Sequence, residues 1–156
     1  MKRIRVYDMQ FDKRGYLHIE TNFACDFAML DVCMTCVGIF IMHKGKKIAR
    51  VCDYTIEMLT SNPEFAVHKH TKYGVTTGWQ HLDKFIAFKN ARSDIYVDGQ
   101  QVAHMDRGGF VTDWLKEVIR ARKLIKNDLH YYEIEFDSDT LPVFVAMCLL
   151  AIAITY

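Results

Sequence analysis

Leu141-Pro142-Val143-Phe144-Val145-Ala146-Met147-Cys148-Leu149-Leu150-Ala151-Ile152-Ala153-Ile154-Thr155-Tyr156 is a run of sixteen residues without a charge. At helical spacing it leaves no polar face, and such a helix belongs either in a bilayer or in a protein core. As a helix it reaches only about 24 Å, against roughly 30 Å of bilayer hydrocarbon. Asp137, Ser138, Asp139 and Thr140 precede it, and no Lys or Arg follows to anchor it at a membrane surface. Those four residues suit a helix N-cap, with Pro142 inside the first turn. The expectation is therefore a buried helix, with Ala146, Leu149 and Ile152 all covered by the rest of the chain. A tail anchor through 141–156 is the alternative.

The remaining sequence supplies strands to cover it. Leu17 to Phe23 and Leu30 to Met42 are rich in β-branched and aromatic residues, and Tyr132-Glu133-Ile134-Glu135-Phe136 alternates cleanly. Lys44-Gly45 and Asp98-Gly99 each separate two apolar runs, which is a hairpin signal. A shift of 54 positions lays Ile41, Gly45, Ile48 and Ala49 on Ile95, Gly99, Val102 and Ala103, so one hairpin pattern occurs twice. Tyr54 to Leu59 and Phe65 to Thr71 read as further strands, and Ser61-Asn62-Pro63 as a turn. Leu82 to Lys89 fits a strand or a short helix. From Asp113 to Lys126 the period becomes helical, with Trp114, Val118, Ala121 and Ile125 on one face and Lys116, Arg120 and Lys123 opposite.

At 156 residues, with 51% hydrophobic residues and only two prolines, the chain fits one folded domain and not a disordered segment. A net charge of +1 argues against a nucleic-acid binder. The amino terminus lacks the apolar run of a secretory signal, so a cytoplasmic protein with five reduced, mostly buried cysteines is expected.

The order of hairpin, connection, alternating strand, acidic turn and all-apolar terminal helix resembles the close of the tubby C-terminal-like superfamily. The nearest branch is that of LURP-one-related and small bacterial tubby-like proteins. Ile95 to Ala103 resembles the penultimate hairpin of that family and Ile39 to Val51 an earlier one. The resemblance implies a mainly β fold with α: a closed antiparallel β-barrel around the central hydrophobic C-terminal helix. The helix near 113–126 departs from the pattern, because the family has two short strands there.

Chemical motifs are few. Cys33-Met34-Thr35-Cys36 has zinc spacing but no second pair, and His68, His70 and His81 have no carboxylate or cysteine tied to them by spacing. Reduced cysteines and solvent-facing histidines are the expectation, with no metal and no cofactor. No nucleotide-binding, metalloprotease or serine-hydrolase motif is present, which favours a protein that is not an enzyme. Lys116, Arg120 and Lys123 beside Trp114 have the form of a helix resting on anionic lipid. The alternative is that Trp114, Val118 and Ile125 pack on the protein itself. Within the superfamily, tubby domains bind membrane phosphoinositides and scramblase relatives act at membranes. The resemblance thus implies binding of anionic phospholipid or a small ligand at a membrane surface, with Lys116, Arg120 and Lys123 as contacts. A protein-interaction scaffold is the second expectation.

Overall fold

The computed structural model describes residues 1–25, 30–53, 55–72, 76–89, 93–108 and 131–155. In chain order these form β1 (Lys2–Phe11), β2 (Leu17–Thr21), β3 (Leu30–Thr35), β4 (Gly38–His43), β5 (Lys46–Cys52) and β6 (Thr55–Met58). A 3-10 turn (Pro63–Phe65) leads to β7 (Val67–Lys72), β8 (Thr76–His81), β9 (Lys84–Lys89), β10 (Asp94–Val97), β11 (Gln100–Gly108) and β12 (Tyr131–Phe136). The chain closes in helix α1 (Val143–Thr155). The amphipathic helix expected near 113–126 lies outside the described residues.

The run from Leu30 to Met42, read as one strand, is two: Thr35 Oγ1 donates to the Gly38 carbonyl at 2.9 Å and the chain reverses at Cys36-Val37. Leu82 to Lys89 resolves as a two-residue tip followed by β9. Strand β1 is charged at Lys2, Arg3 and Arg5, which masks its alternation in the sequence. Ile4 and Val6 nevertheless face the core at 0% and 1% exposure.

The described residues do not form the expected closed barrel. Among the described residues twelve antiparallel strands make two open sheets, β2-β1-β12-β11-β10-β9-β8-β7 and β3-β4-β5-β6. The edges of one sheet lie beside the edges of the other, β2 against β3 and β6 against β7, so the strands ring α1 with two seams. At the first seam, among the described residues, a single bridge, Tyr16 with Cys33, a 2.8 Å bond from Met34 N–H to the Gly15 carbonyl and a 3.7 Å bond from Cys33 Sγ to the Arg14 carbonyl cross the gap. At the second, β6 is four residues long and the chain leaves extended conformation at Pro63, which has no N–H to donate.

Helix α1 fills the space between the sheets. Every residue from Phe144 to Ile152 is buried, including Ala146, Leu149 and Ile152 at 0% exposure, and α1 packs on β1, β4, β5 and β12. Both sheets therefore share one core, in which each buried Leu or Ile contributes on the order of 2 kcal/mol. This enclosure explains a helix that is apolar on every side. The acidic residues before it do not cap it. Asp137 instead organises the preceding turn, its carboxylate accepting from Asp139 N–H and Thr140 Oγ1, both at 3.0 Å. Pro142 sits just before the helix, and its carbonyl accepts the first helical bond, from Ala146 at 3.0 Å. No helix among the described residues is long and apolar enough to cross a membrane.

The pattern repeated at 54 residues is a repeated structure. In the β4–β5 hairpin, Ile41 pairs with Ala49 and Met42 with Lys47, leaving Ile48 as the extra residue of a bulge. In the β10–β11 hairpin, Ile95 pairs with Ala103 and Tyr96 with Gln101, leaving Val102. Both tips use a left-handed pair, Lys44 and Gly45 at φ 51° and 76°, Asp98 and Gly99 at 50° and 86°. The correspondence extends one strand further, since Met58 pairs with Ala49 as Phe136 pairs with Ala103.

Candidate anion-binding rim

The described residues place one cationic cluster at the end of the fold where α1 begins. Strand alternation sets the 82–83 and 98–99 tips at that end, beside the turn from β12 to α1. The 44–45 tip joins them through a chain of rings. His43 lies 4.8 Å from Phe65, and Phe65 stacks edge-on against Phe144 of α1 at 5.1 Å.

Lys44, Lys46 and Lys47 are exposed on the β4–β5 tip, and none forms an ion pair with a described residue. Lys47 Nζ stands 4.2 Å above the Phe40 ring, which keeps its stem on the sheet and its charge toward solvent. The matching hairpin shows that the geometry does not require these charges. Where the first has Lys44, Lys46 and Lys47, the second has Asp98, Gln100 and Gln101 on the same bulged frame. The Asp98 carboxylate turns inward and accepts from Phe85 N–H at 3.0 Å.

The next tip along the rim is Leu82-Asp83, between paired His81 and Lys84. His81 is buried at 3% exposure and donates from Nδ1 to the Ala66 carbonyl at 2.8 Å. His43 and His81 thus hold the same connection, 59–66, from its two sides. Lys84 Nζ donates to the Thr140 carbonyl at 3.0 Å and ties the tip to the turn before α1.

A second polar group lies on the outer face of the larger sheet. His104 donates from Nδ1 to Asp94 at 2.9 Å and faces Asp106 through Nε2 at 3.4 Å, while Gln101 Nε2 also donates to Asp94, at 3.2 Å. The hydrogen bond to Asp94 raises the His104 pKa, with the charge of Asp106 adding to it. A shallow pocket of about 230 Å³ beside it is lined by Met1, Gln101, Val102, Ala103, His104 and Glu135. Carboxylates face both ring nitrogens, and the group ties β10 to β11 through Asp94 and His104. On β1, Arg5 lies 4.1 Å over the Tyr131 ring and bonds Glu133 at 3.3 Å.

The residues singled out in the sequence are not gathered into a site. Lys116, Arg120 and Lys123, with Trp114, lie outside the described residues. His68 and His70 are exposed on β7, whereas His81 is buried and structural. Among the described residues no group of three or more His, Cys, Asp or Glu side chains is placed to hold a metal ion. The cysteines form no disulfide, but only Cys148 is buried; Cys36 is exposed and Cys25, Cys33 and Cys52 are half-buried, which corrects the expectation of mostly buried thiols. In the sequence Lys44, Lys46 and Lys47 read only as part of a turn. Their contrast with Asp98, Gln100 and Gln101 is nevertheless visible from the 54-residue shift.

No protein-family model, no curated protein and no solved structure matches the chain.

Proposed function

We propose that this chain is a non-enzymatic, tubby-like binding module that docks on anionic phospholipid. The observation that carries the reading is the pair of equivalent hairpins, one bearing Lys44, Lys46 and Lys47 without ionic partners among the described residues and the other Asp98, Gln100 and Gln101. Charges that the backbone frame does not need are retained for something outside it. The ring of strands around a buried terminal helix supports the tubby-like assignment, although two seams replace a closed barrel. Lys116, Arg120 and Lys123 supply a second basic stretch from the sequence for the same kind of surface.

A cation near an anionic bilayer surface contributes about 1 kcal/mol. Three lysines therefore correspond to on the order of a hundredfold in partitioning. Vesicle flotation with and without acidic lipid tests the reading. Flotation that requires acidic lipid and weakens in K44D/K46Q/K47Q is expected. Equal flotation on neutral vesicles, or none on acidic ones, would overturn it.

A further inference from the structure

We infer that Leu59 and Leu82 insert into the acyl boundary of the bilayer while Lys44, Lys46 and Lys47 meet the headgroups, so that the end of the fold where α1 begins faces the membrane. This rests on the anionic-lipid reading and assigns the bilayer itself as partner.

Leu82 is 61% exposed and holds φ +53° at the first position of a two-residue hairpin tip. The other non-glycine residues with positive φ among those described are Lys44, Asp53 and Asp98, all polar. Glycine or asparagine suits such a position, and a branched apolar side chain there is strained by roughly 1–2 kcal/mol. Burial within the chain does not offset that strain, because the side chain stands in solvent. Strain kept at an exposed position points to use by a partner.

Leu59 gives an independent reason. Its N–H donates to the carbonyl of Ile48, the bulged residue of the lysine hairpin, at 2.9 Å; in the matching hairpin Asp137 N–H donates to Val102 at 2.8 Å. The backbone role is the same and an aspartate serves it, so a leucine 43% exposed is not required by the fold. Its hydrogen bond places it at the base of the lysine tip.

The three features are held together. Phe65 under His43 and Ala66 under His81 brace both tips on one connection, which is itself seated on Phe144. Over 43–47, 59–66 and 82–84 four lysines, Lys44, Lys46, Lys47 and Lys84, stand against Glu64 and Asp83, a net charge of +2. Asp98, Asp137 and Asp139 lie around the 98–99 tip and the turn before α1, so the positive charge is confined to the side of the β4–β5 tip. Apolar tips flanked by cations are the pattern of interfacial anchoring.

The full chain is compared with Leu82→Asn, Leu59→Asn and K44D/K46Q/K47Q by flotation on vesicles of neutral lipid with added acidic lipid, each protein checked by thermal melting. Asparagine tolerates positive φ, so Leu82→Asn is expected to melt no lower than the parent while partitioning about tenfold more weakly. If both leucine variants float like the parent and only the lysine variant is lost, the insertion falls and the anionic-lipid reading stands. If the parent itself fails to float, both fall. Retention of full affinity for a soluble headgroup by Leu82→Asn, with loss of vesicle binding, supports insertion. Equal loss to the soluble headgroup would overturn it.

Discussion

Ile48 and Val102 occupy equivalent places in two hairpins: each is the unpaired residue of a bulge, and each offers its carbonyl to the residue closing the next strand, Leu59 and Asp137 respectively. The chain thereby contains its own control. Side chains that differ between the two copies are not dictated by the bulge, the turn or the register. They report instead on what each copy faces.

Transplanting the second tip onto the first follows directly. K44D/K46Q/K47Q keeps Gly45 and the left-handed first position, which Asp tolerates well. The change removes the Lys47 ammonium from over the Phe40 ring. At an exposed site that is worth about 0.5–1 kcal/mol. A stability from urea unfolding within about 1 kcal/mol of the parent is expected. A much larger loss would show that the lysines support the fold.

The fold was legible in the sequence where one period dominates. The terminal helix could be placed because a segment apolar on every side suits only a bilayer or a protein core, and the strands read in the rest of the chain can supply that core. The hairpins could be placed because Lys44-Gly45 and Asp98-Gly99 supply the positive φ their tips require. The seams were not legible, since whether β6 bonds β7 depends on a ladder between distant segments. The reversal at Cys36-Val37 carries no Asn-Gly or Asp-Gly signal, and β1 hides its alternation behind charges that pair across to Glu133 at 3.0 and 3.3 Å. The rim is not legible either, because exposure of Leu82 and the bracing by His43 and His81 exist only once the loops are assembled.

Thiol reactivity should order the cysteines by exposure. Cys36 is exposed at the β3–β4 tip, whereas Cys148 lies at 0% exposure in α1 and burial raises its pKa. Burial also raises the pKa of Cys33. The thiolate is the reactive form, so an aromatic disulfide reagent should modify Cys36 first and reach Cys148 only on unfolding. Mass mapping of partially labelled protein checks this. Early labelling of Cys148 would mean that α1 is not enclosed.

Stability should fall modestly as pH rises above about 6.5, the ordinary value for histidine. His104 faces Asp94 on β10, Asp106 on its own strand and Glu135 across on β12; beyond them Lys89 pairs with Asp94 and Arg3 with Glu135. The Asp94 hydrogen bond raises the folded-state pKa. The contribution is then complete below the unfolded value and is lost as pH climbs through the folded one. His104 is 46% exposed, so solvent screening limits the effect to about a few tenths of a kcal/mol. Denaturation midpoints from pH 6 to 8 should slope downward and flatten in His104→Gln. An unchanged slope in the variant would assign it to another group.

Gly78 should be the least replaceable glycine among those described. It lies in β8 opposite His70, and a Cβ built on it runs into the carbonyl oxygen of Ile86 on β9, with the Phe85 ring 3.0 Å away. A backbone carbonyl inside a ladder cannot step aside without breaking the pairing of Trp79 with Ile86. At Gly45 the space is open and only the positive φ opposes a side chain. Gly45→Ala should therefore cost about 1–2 kcal/mol through backbone strain. Gly78→Ala should cost about 3 kcal/mol or more through overpacking and broken hydrogen bonds between β8 and β9. Urea unfolding of the two variants decides it. If Gly78→Ala proves the milder change, β8 does not approach β9 as closely as described, and the left-handed tip at Lys44-Gly45 is the tighter constraint.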